Sequence, residues 1–462
     1  MKRTSILILF VFIIAFSIIF WIDIVFFFQV ILISVLIKLI VEYFLSRTKN
    51  YSFCSPYLDF AQLIYTCLII FFTYYSTSGN GEIIPNLLIG DTLAYYNESI
   101  YFASIAENNF LNYLSYTNIN YFFYQFLLSL LYIAFFGNFY FSGLMLSAFV
   151  GILNLLLLIK ISELVKLKLP TLRYVMIFYI IFPHIIASST TLLKDNFIVF
   201  SFLILIYSIL KTIIVKPKFI YYFQALIAII LCALLRLPFV LVFIFVILYF
   251  YMLSGRLKIT NLLYLVILLT TLFFLDIGSF STNIYNDKTV FQAFQYEQSR
   301  IADSSVTGSG ITNLLVGDYA NSSLTLKIIK LPLALLVQYL NPINIFYFDH
   351  IIPWQYIDIN LKIIWLLFLG PLLIFCFINY KSLSKISKPL FLISLFGYSL
   401  IAFLNGGIVP RYALCFMVLS VIPMGFIYQL IVTNVKYRLR FMRFFSIYII
   451  IALLASSMYL FI

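Results

Sequence analysis

Four places in this 462-residue chain carry an ionisable side chain that membrane insertion gives no reason for. They are Asp91 in Gly90-Asp91-Thr92, the adjacent pair Lys194-Asp195, Arg236 ahead of Pro238, and Arg411 in Val409-Pro410-Arg411. A carboxylate beside ammonium and guanidinium groups suits acid–base work at an anionic leaving group. The carboxylate takes the proton of an attacking hydroxyl, and the cations hold the departing charge. Arginine is well matched to a phosphate or diphosphate, which its planar fork can grip at two oxygens. Transfer of a sugar from a polyprenyl-phosphate or -diphosphate carrier fits this set, with Asp91 and Asp195 as candidate acid–base residues and Lys194, Arg236 and Arg411 as candidate diphosphate ligands. Each residue also has a simpler role. Asp195 suits the N-cap of a helix starting at 196, Asp91 a turn cap, and the arginines can snorkel to lipid phosphates.

The elements that position these residues follow from hydropathy and charge. The chain is 64% hydrophobic and 10% charged, with a mean hydropathy of +1.10, more apolar surface than a soluble fold can bury. About 20 apolar residues span a bilayer as a helix. Thirteen such segments are expected, at 4–21, 24–45, 57–77, 140–160, 174–192, 196–212, 219–235, 238–254, 260–276, 356–380, 389–404, 411–432 and 444–461. Assigning the breaks alternately to two sides, with Lys2 and Arg3 on the first, puts 20 of the 29 Lys/Arg on that side. Only Glu42, Asp59 and Glu163 of the 16 acidic residues fall in or near it. That asymmetry predicts a cytoplasmic N-terminus and a multi-pass membrane protein. The basic start and apolar run of residues 1–22 read as a retained first helix, because no small-residue cleavage site follows. Lys38 and Lys362, near span ends, read as snorkelling, and His184 after Pro183 as a packed histidine.

The chain reads as a single transmembrane domain, 1–462, with two long external segments, 78–139 and 277–355. The first has no Lys or Arg and is rich in Tyr and Asn, including Tyr95, Tyr96 and Asn97. Aromatic side chains there suit the headgroup zone or the faces of sugars, and Tyr95 is a candidate sugar ligand. Keeping 119–137 as an interfacial or re-entrant helix preserves the charge alternation downstream. Of the cysteines, Cys67, Cys232, Cys376 and Cys415 lie in spans and Cys54 in a loop, with no CxxC pair, so neither a disulfide nor a zinc site is indicated. No Walker loop, HExxH or strand-borne GxGxxG occurs, which speaks against ATP-driven transport and metalloprotease chemistry. The net charge of +13 lies mostly in short loops and points to topology and anionic lipid rather than nucleic acid.

The order Gly90-Asp91…Tyr95 in a first long outer loop, then Phe182-Pro183…Leu192-Leu193-Lys194-Asp195, resembles the polytopic glycosyltransferases of the GT-C superfamily. That resemblance implies a GT-C-like all-α membrane fold, Asp91 as catalytic base, a second acidic role for Asp195, and, in a strict match, room for a divalent metal near both. The Phe/Tyr/Ile richness and Pro410-Arg411-Tyr412 are also similar to the Wzy-type polymerases of O-antigen and capsule repeat units. This second resemblance implies undecaprenyl-diphosphate-linked oligosaccharide as substrate, joining at the periplasmic face of a bacterial inner membrane, no metal, and a chain-length regulator and a flippase as partners. Arg300 with Gly310 approximates the polymerases' arginine–glycine spacing, one residue short. A GT-C transferase of single sugars, or a flippase or other transporter, remains the alternative. A transporter asks for midplane charges, broken helices and internal repeats.

Overall fold

In the computed structural model the described residues are 14, 24–76, 91–108, 119–134, 140–215, 218–236, 239–253, 325–326, 328–332, 363–405 and 413–458. They are helical, with no strand among them. The expected span at 260–276 lies outside them, as do all of 4–21 but residue 14 and nearly all of 277–355. Five helices are long and apolar enough to cross a membrane, or six if one broken pair counts as a single span. The described chain forms two compact units. One comprises 1–166, 185–237 and 352–356, and the other 167–184, 238–351 and 357–462.

The first unit holds α1 (Ile24–Leu45), α2 (Tyr51–Ser76), α3 (Asp91–Asn108), α4 (Ile119–Ala134), α5 (Tyr140–Leu164), α8 (Asp195–Ile214) and α9 (Phe219–Arg236). Helix α5 is its hub, packing against α1, α2 and α8. Small residues make that approach close. A Cβ on Gly151 would stand 2.4 Å from the Ser189 hydroxyl oxygen, and one on Gly143 would stand 2.8 Å from Leu192. The first external segment is built as a helical pair, α3 against α4, and α4 also packs on α9. Helix α2 begins six residues earlier than hydropathy suggests, which moves Cys54 from a loop into a buried helical position. All five cysteines are free thiols.

The expected span 174–192 is not one helix. It is α6 (Leu169–Ile180), a break at Ile181 and Phe182, and α7 (Pro183–Thr190). Pro183 has no N–H to donate and its ring crowds the preceding turn, so the helix stops ahead of it.

The second unit holds α6, α10 (Phe239–Leu253), a π-helical stretch Trp365–Leu369 that runs into α11 (Gly370–Ile378), α12 (Ser387–Asn405), α13 (Leu414–Thr433) and α14 (Val435–Met458). Gly425 lets α13 seat on α6, where an added Cβ would lie 2.7 Å from Val175 and 3.2 Å from the Thr171 carbonyl. Tyr174, Phe178, Phe368 and Tyr428 stack edge to face around that crossing. Helix α14 starts at Val435, nine residues before the apolar run, so its first turns carry Lys436, Arg438, Arg440 and Arg443.

Candidate functional site

Lys194 and Asp195 stand where α8 begins in the first unit. Lys194 occupies the cap position without a side-chain cap bond, and Asp195 is the first helical residue. Asp195 is therefore not the N-cap that its sequence position suggests. Its carboxylate is buried at 6% exposure and within electrostatic reach of the Tyr124 phenol. The Lys194 ammonium lies 5.9 Å from the centre of the Tyr95 ring, a cation–π distance. The Tyr95 and Tyr124 rings meet edge to face at 5.2 Å, and Tyr124 meets Phe197 at 5.5 Å. An ammonium, a carboxylate and two tyrosines from α3, α4 and the start of α8 thus share one end of the first unit.

Arg236 returns to that end by construction. Helix α8 packs along α9, and only a few residues of chain separate the end of one from the start of the other. At 20 and 18 residues the two helices are about 30 and 27 Å long. The last residue of α9, Arg236, therefore lies near the level at which α8 starts; it is half-buried. Asp91 is the first residue of α3, one helical turn ahead of Tyr95, and its side chain is outside the described set. Arg300 and Arg411 lie outside the described residues altogether. Of the candidate residues, Tyr95, Lys194, Asp195 and Arg236 gather at one end of one unit.

Two further groups line the helix pair below Asp91. Glu98 accepts a 2.8 Å hydrogen bond from Gln125 Nε2 of α4. Burial first, and then the nearby Tyr132, hold the Tyr96 phenol above its ordinary value, so it remains a neutral hydrogen-bonding group. Among the described residues no three His, Cys, Asp or Glu side chains gather as a metal ion requires.

What holds the Lys194-Asp195 turn is the next residue, which hydropathy and motif reading passed over. Asn196 is fully buried and bonded on every side. Its Nδ2 donates to the Ser147 carbonyl at 3.1 Å and to Ser189 Oγ at 2.9 Å. Its Oδ1 accepts from Ser188 Oγ at 2.8 Å, and its own carbonyl accepts from Asn154 Nδ2 at 3.0 Å. Ser147 also stands 3.4 Å from the Tyr124 hydroxyl. The Tyr65 hydroxyl lies toward Ser189 but outside good hydrogen-bond geometry. The signal was legible. Ser147, Gly151 and Asn154 recur at four and three residues along α5, one face of a helix, and Ser188-Ser189 interrupt an apolar run.

Sequence reading also misassigned Lys38. It does not snorkel. Its side chain is 7% exposed, ion-paired with Asp59 of α2 and at 3.3 Å with Glu42 one turn along α1. In the second unit, two departures from regular helix meet. Phe182, in the α6–α7 break, packs edge to face on Trp365 of the π-helical stretch at 5.4 Å, and His184 lies 6.3 Å from the same indole. Comparison with protein-family models, with curated proteins and with solved structures gives no match.

Proposed function

We propose that the protein is a membrane-embedded glycosyltransferase that joins lipid-linked sugar repeat units, in the manner of the Wzy-type polymerases that its sequence resembles. The single observation that carries this reading is the grouping of Lys194, Asp195, Tyr95 and Arg236 at one end of the first unit. Aromatic faces beside a carboxylate suit a sugar ring. An ammonium and a guanidinium at the level of the helix ends suit a lipid-borne diphosphate. In this reading Asp91 or Asp195 takes the acceptor hydroxyl's proton, the hydroxyl attacks the anomeric carbon, and the carrier diphosphate leaves against Arg236 and Lys194. The thirteen-span topology, the cytoplasmic N-terminus and the periplasmic placing of this end belong to the same proposal. So do the inner-membrane location and the role of Arg411 as a further diphosphate ligand.

Deletion of the gene followed by complementation tests it. Surface polysaccharide run on a gel should show a ladder with wild type. The deletion, and at least two of Asp91→Asn, Arg236→Ala and Arg411→Ala, should give single-repeat glycan. An unchanged ladder in all three variants removes the site.

A second reading, a flippase or other transporter of lipid-linked oligosaccharide, draws support from the break at Pro183 and from the π-helical stretch beside it. The buried Lys38–Asp59 pair, with Glu42 beside it, adds to that support. It predicts complete loss of surface glycan on deletion, with lipid-linked repeats retained on the cytoplasmic side.

A further inference from the structure

The end of the first unit opposite Asp195 gathers cations that no part of the proposed reaction uses. Arg47 follows α1, Lys160 lies near the end of α5, and Lys211 lies in the last turn of α8. Three separate elements thus bring like charges together, with Lys160 in electrostatic reach of both others. Like charges converging at a bilayer boundary repel unless an anion sits among them.

The carboxylates close by are already engaged. Lys38 holds Glu42 and Asp59. Glu163 accepts from the Asn50 backbone N–H at 3.3 Å and from its side-chain amide at 3.2 Å. Among the described carboxylates that leaves Glu163, which reaches Lys160 and is shared with Asn50.

The cations are also held in place. The Arg47 guanidinium lies 4.4 Å from the Tyr43 ring centre and also bonds the Tyr43 hydroxyl. Lys160 stands 5.6 Å over Phe44, and Lys211 5.4 Å over Tyr207. Tyr43 and Phe44 are themselves exposed, at 56% and 39%. Leading away from them along α1 is an exposed apolar stripe of Leu32, Leu36, Leu39 and Tyr43, at intervals of four, three and four residues. It runs eleven residues, about 16 Å, close to half of a hydrocarbon core about 30 Å thick. A pre-ordered basic cluster at one end of a stripe as long as one leaflet matches one molecule: a phosphate headgroup carrying an acyl chain.

We propose that Arg47, Lys160 and Lys211 form a binding site for an anionic phospholipid of the adjoining leaflet, its phosphate among the three cations and an acyl chain along α1. The proposal is independent of the glycosyl-transfer reading. Full-length protein is reconstituted in nanodiscs that mix a phosphatidylcholine with phosphatidylglycerol or a diphosphatidylglycerol, then transferred to zwitterionic detergent. Retained lipid is read by native mass spectrometry. Wild type should hold the anionic lipid in preference to the choline lipid. Each of Arg47→Gln, Lys160→Gln and Lys211→Gln should cut that preference about fivefold, the weight of one basic residue at an anionic surface. The triple variant should abolish it. Arg438→Gln with Arg440→Gln, at the basic start of α14, should leave it unchanged. Equal retention of both lipids by wild type overturns the site, as does a preference that survives the triple variant. So does an equal loss in the α14 control, which would mean general surface charge. Should the triple variant not fold, the three single variants decide.

Discussion

Lys38 and Asp59 come from two helices and meet inside the first unit, whereas Lys194 and Asp195 are chain neighbours at a helix start. The first lysine is enclosed by two carboxylates, Asp59 and Glu42. The second lies against the face of Tyr95, while Asp195 stands near Tyr124. One arrangement joins its charges to each other across two helices, and the other sets an ammonium on the face of a tyrosine at a helix start. Neutralised charge in an apolar interior fixes helix against helix. The same two residue types thus serve packing in one place and, in the proposed reaction, chemistry in the other.

The largest effect should come from breaking the enclosed pair on one side only. Asp59→Leu leaves Lys38 buried with only the partly exposed Glu42, and removing one member of a buried pair typically costs about 3–5 kcal/mol. Thermal unfolding in detergent should show that loss. The double replacement Lys38→Met with Asp59→Leu should recover most of it, since a well-packed apolar pair replaces two desolvated charges. A double variant no better than the single would mean that Lys38 has a second task. The matching single variants at the other end, Lys194→Met and Asp195→Leu, should melt close to wild type and lose function instead.

Why the sequence revealed one pair and concealed the other is a matter of geometry. Position along a helix gives depth, so Lys194-Asp195 and Arg236 could be set at a common level from the span pattern alone. Lys38 needed a rotation as well as a depth. Its partner Asp59 is on another helix, and periodicity within α1 does not say which face meets α2. The span 24–45 coincides with α1, and 140 with the start of α5, because uniform apolar runs end at unmistakable polar turns. The run at 174–192 misled because its apolar composition continues across Pro183, while the backbone hydrogen-bond ladder does not. Asp91, Arg300 and Arg411 have no described side chain against which to compare.

A smaller effect should separate the turn from what holds it. In Gly151→Ala the new methyl would meet Ser189 Oγ at 2.4 Å, and overpacking of this kind costs about 1–3 kcal/mol. Because Ser189 also accepts from Asn196, the clash should displace the Lys194-Asp195 turn as well as lower the melting temperature. Adding Ser189→Ala should restore part of both by clearing the hydroxyl. Recovery of stability without recovery of glycan laddering would show that the Ser189–Asn196 bond, and not the helix spacing, sets the turn.

Asn196→Ala isolates that bond. It removes two donations and one acceptance in a buried place, leaving Ser188, Ser189 and the Ser147 carbonyl each one hydrogen bond poorer, at about 1–3 kcal/mol for the site. Asn196→Asp keeps the volume and the Ser188 bond but loses both donations, so it should fall near alanine.

The mildest change is Tyr95→Leu. It keeps most of the buried apolar volume of α3 and removes the ring face under Lys194, about 0.5–2 kcal/mol of cation–π attraction, together with the edge-to-face contact with Tyr124. Melting should move little. If Lys194 is set for a diphosphate by Tyr95, the leucine variant should polymerise poorly and Tyr95→Phe, which keeps the face, should polymerise normally. Equal activity of leucine and phenylalanine would mean that the ring only fills space, and the contrast between the two lysine–aspartate pairs would then rest on Asp195 alone.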